Sequence, residues 1–368
     1  MQSTKLFILF IVLLALTPLS AFGGGRAAGG AVYVMSNASE GNEIVVYDRD
    51  FHGRLTLADT YATAGLGTGG GIDPLGSQGS LILSRNHRWL FAVNAGSDDI
   101  SVFRVRRHSL VPVGNFDSGG QFPVSLTLHR NLLYVLNAGR EGEGTNITGF
   151  MLDRHGDLKP LPESTRELVP GGYHQVGFNP RGDTLVVTRG EPTGENLILV
   201  FALDEEGLPG PEPTVSPSVG VVPFGFIFDW RGHLLVSEAG SGAVSSYAIE
   251  DDGTLDVISG SVPNGNNATC WIAHTWFGAV FTANTGSNNI SSYKVNFGNG
   301  NVLLKDADAA SGDKPIDMAT TANGRFLYAL NAADGTVGAF RISPYGFLTD
   351  LGKTAGLPLL FAQGIAAR

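Results

Sequence analysis

The chain has 368 residues, 43% of them hydrophobic and only 16% charged, with 51 Gly and 18 Pro. That is the make-up of many short strands and tight turns, not of a disordered or coiled-coil chain. A formal net charge of −10 argues against nucleic acid or an anionic membrane surface as partner, since both require concentrated Lys and Arg. The single cysteine, Cys270, excludes an intramolecular disulfide.

In chain order, the first feature is Lys5 followed by an apolar run from Leu6 to Leu16 and small residues around Ser20, Ala21 and Gly23. The run is too short for a comfortable membrane span and has the layout of a secretory leader. Residues 1–25 therefore read as a signal peptide and residues 26–368 as one mature domain, secreted or periplasmic and without a membrane span. A retained anchor is the alternative.

Beyond the leader one phrase recurs: an apolar strand ending in a polar residue, a small turn, and a second strand. Asn37, Asn94, Asn137, Arg189, Glu238, Asn284 and Asn331 mark its seven copies, 57, 43, 52, 49, 46 and 47 residues apart. This is the period of a four-stranded propeller blade. The fold predicted is all-β, a seven-bladed β-propeller of antiparallel blades. The first copy begins at Ala31-Val32-Tyr33-Val34, which aligns with a second strand, while an orphan strand-like stretch runs from Leu360 to Ala367. The C-terminal stretch is thus expected to supply the innermost strand of blade one and remove the open edges.

Between these markers the Gly-rich stretch from Gly65 to Gly71 lacks the Lys and the following helix of a phosphate loop. It reads as a mobile loop over the channel mouth or as a passive linker. Arg85 and His87 fall in a hairpin turn and read as surface residues, and Arg104-Val105-Arg106-Arg107-His108 reads as a solvated turn. Cys270, beside Trp271 and Ile272, reads as a buried structural thiol. His233 and His274 are isolated, and no His/Cys cluster has zinc spacing. No metal or cofactor is expected, with an oxygen-only cation site left open.

The phrases Leu83-Ser84-Arg85-Asn86-His87-Arg88-Trp89-Leu90-Phe91-Ala92-Val93-Asn94, Phe178-Asn179-Pro180-Arg181-Gly182-Asp183 and Thr321-Ala322-Asn323-Gly324-Arg325-Phe326-Leu327-Tyr328 resemble the seven-bladed propeller lactonases, which include 6-phosphogluconolactonase and the 3-carboxymuconate cyclases. The resemblance covers residues 31 to 368. It implies hydrolysis of a small-molecule lactone, or cycloisomerisation of a muconate-like carboxylate, without cofactor, by a monomer. It also implies catalytic roles for His174, which opens an inner strand, and for Glu238, which ends a second strand. Where the family places arginines, this chain has Pro223-Phe224-Gly225 and Thr285.

Strand direction places His174, Arg189 and Glu238 on one rim of the channel. Arg189 is then either an anion clamp replacing the missing arginine or one half of an ion pair with Glu238. His174 is the candidate base, and Glu238 its acid or orienting partner. A non-catalytic propeller that binds a protein, glycan or cell-surface partner is the second reading. In that case Phe224 and its neighbours are expected to plug the mouth.

Overall fold

The computed structural model describes residues 29–140 and 143–368; the leader expected over residues 1–25 lies outside them. The described residues contain strands, turns and loops but no helix. None of their elements is a helix long and apolar enough to cross a membrane. Seven antiparallel sheets follow one another; blades two to seven are each entered at the inner strand and left at the outer one, while blade one is entered at its second strand. Blade two is representative, with strands Leu81–Leu83, Trp89–Asn94, Asp99–Val105 and Leu110–Asp117. Blade three departs from the pattern. Its outer strand is split into Leu158–Pro160 and Arg166–Glu167, both paired with Asn146–Leu152.

The second and third strands read as nearly continuous apolar runs because both of their faces are covered by neighbouring blades. Phe91, Tyr134, Phe201, Phe281 and Tyr328 are fully buried there. The tyrosine hydroxyls reach across to the next blade: Tyr134 donates to the Gly207 carbonyl at 2.8 Å and Tyr328 to that of Gly53 at 3.0 Å. Gly53 has φ +90, and a Cβ there would lie 2.3 Å from the Phe326 ring. Only glycine permits both that conformation and that approach.

Blade one closes the ring as the repeat predicts. Ile365–Ala367 pairs antiparallel with Gly30–Met35, with Ile365 opposite Val34 and Ala367 opposite Val32. The strand is shorter than the stretch from Leu360 to Ala367. Leu360 sits in a turn at φ +77, and Gln363 turns its side chain into the channel. The buried Arg49 guanidinium clasps the end, donating to the Arg368 carbonyl at 3.0 and 3.2 Å.

Deleting residues 360–368 removes this ladder and the burial of Ala362 and Ile365, on the order of 5 kcal/mol. The melting temperature followed by circular dichroism is expected to fall by about 10 °C. A truncated protein that melts with the full chain would mean that blade one is held shut by something else.

Candidate functional site in the axial channel

Each inner strand runs from an upper rim, where the second strand of its blade ends, to a lower rim. Near the upper rim the register of the inner strand slips in blades three to seven. The slips fall between Pro123 and Ser125, Tyr173 and Gln175, Pro223 and Phe226, Thr269 and Trp271, and Ile316 and Met318. The bulged residues are therefore Val124, His174, Phe224 with Gly225, Cys270 and Asp317. A bulge leaves a residue outside the ladder and re-aims its side chain, so these positions form one level around the axis.

That level is filled by the chain itself. The connection between blades one and two first lays its glycines against the upper rim. Gly67 donates to the Ala38 carbonyl at 2.9 Å and Gly69 to that of Asn37 at 2.8 Å, and a Cβ on Gly67 would lie 2.2 Å from the Asn37 backbone. The stretch is an anchored strap, neither a mobile loop nor a passive linker; its glycines serve backbone-to-backbone approach.

Residues 73–78 then cross the axis. The Ser77 carbonyl accepts from Trp271 Nε1 (2.9 Å) and Gln363 Nε2 (3.1 Å), and its hydroxyl donates to the Val124 carbonyl (2.8 Å). The Gln78 amide donates to the Ile272 carbonyl and accepts from the Ile272 N–H, as a strand neighbour would. Leu75 is buried and donates its N–H to Gln363 Oε1.

His174 lies under this plug. Its Nδ1 faces the Gly76 carbonyl at 2.7 Å and its Nε2 the Gly190 carbonyl at 3.0 Å, while its ring stacks on Phe224 at 4.3 Å. Burial lowers its pKa and the two carbonyls raise it; burial prevails and the net direction is down. A neutral imidazole donates to only one of the carbonyls, so the other nitrogen meets an oxygen lone pair to lone pair. Phe224 also meets Trp271 edge-on at 5.1 Å. It fills the space at the position where the family carries an arginine.

Arg189 and Glu238 end their strands on the same upper rim, opposite Tyr173 and Pro223. No hydrogen bond or ion pair joins either of them to the other or to His174. Arg189 Nη1 pairs with Glu195 of its own blade at 3.0 Å, Nη2 donates to the Pro170 carbonyl, and the guanidinium lies over the Tyr173 ring. The Arg189–Glu238 ion pair, one of the two readings open for Arg189, is thus replaced by one within blade four, where the hairpin after Arg189 brings Glu195 back alongside. Glu238 is fully buried inside blade five. Its Oε1 accepts from Ser218 Oγ at 2.7 Å, while Oε2 has no partner of good geometry beside the Ser245 hydroxyl. Burial pushes this carboxyl up to about 7, against the pull of its hydroxyl neighbours.

The marker position is a structural slot in every blade. Asn94 donates to Asp99 and Ser101 and accepts from Asn42 and Thr63. Asn284 makes the same set with Asn289, Ser291, Asn264 and Thr269. The asparagines thus mostly tie strands together through other side chains rather than closing turns onto the backbone. A glycine of the incoming connection lies over several of them: Gly120 over Asn137, Gly171 over Arg189 and Gly220 over Glu238.

Sequence reasoning missed two carboxyls. Asp317, at φ +53, is buried, with Oδ1 accepting from Met318 N–H and Oδ2 from Ile365 N–H. Asp73 Oδ1 accepts from Gln363 Nε2 at 2.7 Å. Burial pushes both up to about 7, and the Asp73 charge adds to the rise at Asp317. Alignment with His174 near the start of an inner strand was the available signal for Asp317. Cys270 is buried, as expected, beside Phe224 and Trp271.

Below the plug a cavity of about 440 Å³ runs along the axis, lined by Gln78, Asp317, Thr127, Gln175, Phe226 and Phe228 among others, and extends to Pro180 at the lower rim. The channel is therefore stoppered above and open below.

Comparison with known proteins accords with this architecture. No curated protein matches the sequence. Among solved structures, a 6-phosphogluconolactonase candidate from Bacteroides fragilis superposes with a TM-score of 0.70 at 18% identity, covering 94% of this chain and 100% of that one. The periplasmic gluconolactonase of Pseudomonas aeruginosa superposes with a TM-score of 0.70 at 18% identity, covering 92% and 98%. A hypothetical selenium-binding protein from Sulfolobus tokodaii, at 12% identity, 0.62 and 92% and 93% coverage, shows how far the ring extends beyond one chemistry. Residues 26–170 and 171–359 match the family described as "Lactonase, 7-bladed beta-propeller", and the chain belongs to that family.

Proposed function

We propose that the protein is an exported lactone hydrolase acting on a small lactone without cofactor, with muconate-type cycloisomerisation as the variant chemistry open to the same base. The observation that carries this reading is the family match over most of the chain, combined with the presence of His174 at the bulge of blade four. In this reading a neutral His174 takes a proton from the water that attacks the lactone carbonyl. The Gly76 carbonyl occupies Nδ1, so residues 73–78 must withdraw before substrate reaches the ring. Glu238, held near neutrality by burial, acts as acid or orienting partner. Arg189 acts as anion clamp once its guanidinium leaves Glu195. The leader over residues 1–25 supports export, and the Pseudomonas relative is described as periplasmic.

A non-catalytic propeller is favoured by one specific observation: both His174 nitrogens are engaged by backbone carbonyls and Phe224 stacks on the ring. The two readings separate on turnover. The purified mature protein is expected to open at least one member of a panel of sugar, aliphatic and aromatic lactones. No turnover of any of them favours the binding propeller.

On a substrate that is hydrolysed, His174→Ala is expected to lower kcat by about 10²- to 10⁴-fold. Arg189→Lys keeps the charge but loses the planar fork, so a clamp weakens while the ion pair to Glu195 survives. Wild-type turnover by both variants would remove His174 and Arg189 from the reaction. Edman sequencing of exported protein is expected to start between residues 22 and 26; recovery of intact Met1 in the membrane fraction would favour the anchor.

The Glu238 carboxyl also makes a pH prediction. Its folded pKa of about 7 lies above its ordinary 4.5, so between these values the folded protein holds a proton that the unfolded chain has released. Stability from this group is greatest at low pH, falls as pH rises from about 4.5 to about 7, and stays reduced above. Gln at this position is neutral throughout. The melting temperature of Glu238→Gln relative to wild type should therefore rise from pH 5 to pH 8, by up to about 3 kcal/mol in stability terms. An offset that is the same at both pH values would show that the carboxyl ionises freely.

A further inference from the structure

The lower rim carries a charge pattern that the net charge conceals. Each blade turns there from its inner to its second strand, and in blades two, three and four these hairpins place Arg85, Arg130 and Arg181 around one groove of about 610 Å³. All three side chains are exposed, and among the described residues none forms an ion pair or a side-chain hydrogen bond. Their shared neighbour is His129, pinned under Gly182 and tilted against Phe178 at 5.8 Å. Burial first, and then the charges of Arg130 and Arg85, lower the His129 pKa. Asp183 is the carboxylate that opposes them, and its Oδ1 already accepts from Asn179 and Thr184.

Three guanidiniums that line one groove without ion-pair partners offer an anion several charged donors at once. Lactone turnover at His174 does not need this groove. The size of the groove suits a small molecule. A long polyanion would also meet the acidic outer hairpins of blades four and five on the same rim, Asp204-Glu205-Glu206 and Glu250-Asp251-Asp252. Pro180 lines both the groove and the axial cavity, so a ligand held here sits at the open entrance of the channel.

We propose that Arg85, Arg130 and Arg181 form a binding site for a small multivalent oxyanion, carrying phosphate or several carboxylates, at the lower mouth of the propeller. Isothermal titration calorimetry of the full-length mature protein at low ionic strength, with pyrophosphate and separately with citrate, tests it. Saturable binding is expected with at least one probe, and which one distinguishes a phosphate from a polycarboxylate ligand. The combined Arg85→Ala, Arg130→Ala and Arg181→Ala variant, altered only in exposed turns, should bind at least about tenfold more weakly. Arg231→Ala, in the equivalent hairpin of blade five, should bind like wild type. Absence of saturable heat with both probes, or an equal loss in Arg231→Ala, overturns the assignment. So does a preference of more than tenfold for a long polyphosphate chain over pyrophosphate at equal phosphate concentration, which would indicate a polyanion surface.

Discussion

Seven inner strands meet around the axis without hydrogen-bonding to one another as a sheet, and their bulges leave polar groups facing the centre. Buried amides and carbonyls in that position must find partners. Residues 73–78 supply them, through the Ser77 carbonyl to Trp271, the Gln78 amide to Ile272 and the Gly76 carbonyl to His174. Plug and ring complete each other: residues 73–78 form no strand or helix of their own, and they bridge inner strands of several blades. The side on which the channel is open, the length of the cavity and the engagement of His174 all follow from this crossing.

The blades themselves are held by a different device, the buried polar residue that ends each second strand beneath the incoming connection. In most blades this residue is Asn; in blades two and six it both donates and accepts, tying its neighbours together through side chains. Blades four and five replace it with Arg189 and Glu238, the two charged occupants of an otherwise neutral position. They flank the blade interface where His174 and Phe224 stack. The chemistry considered for these residues is therefore written over a packing role. A buried carboxyl at this position carries a burial penalty on its ionised form that a neutral asparagine does not.

The ring was legible in the sequence because a blade is a local object. Its strands and turns lie within about fifty residues, so the marker spacing and the orphan C-terminal stretch suffice to count blades and to find the seam. The plug was not legible, because its partners lie far along the chain, as with Ser77 and Trp271 or Asp73 and Gln363, and several of its contacts are made by backbone carbonyls that carry no side-chain signature. The same holds for the pairing of Arg189 with Glu195, which depends on which way a hairpin folds back. The lower-rim arginines were half legible. Arg85, Arg130 and Arg181 are one blade period apart, but an average charge of −10 hides a local excess of the opposite sign.

Blade one is assembled from the two ends of the described chain, with Val34 waiting for Ile365 and Arg49 for the carbonyl of Arg368. Among the described residues the sheet that starts the ring is thus also the one that completes it, and until Ile365–Ala367 arrives the row of N–H and C=O groups on Gly30–Met35 remains an open edge. Loop-closure entropy over more than three hundred residues must be met before any of the ring's closing contacts form. A nascent propeller of this design stays adhesive to other strands until Ile365–Ala367 is free to bind, and its most vulnerable interval ends only then.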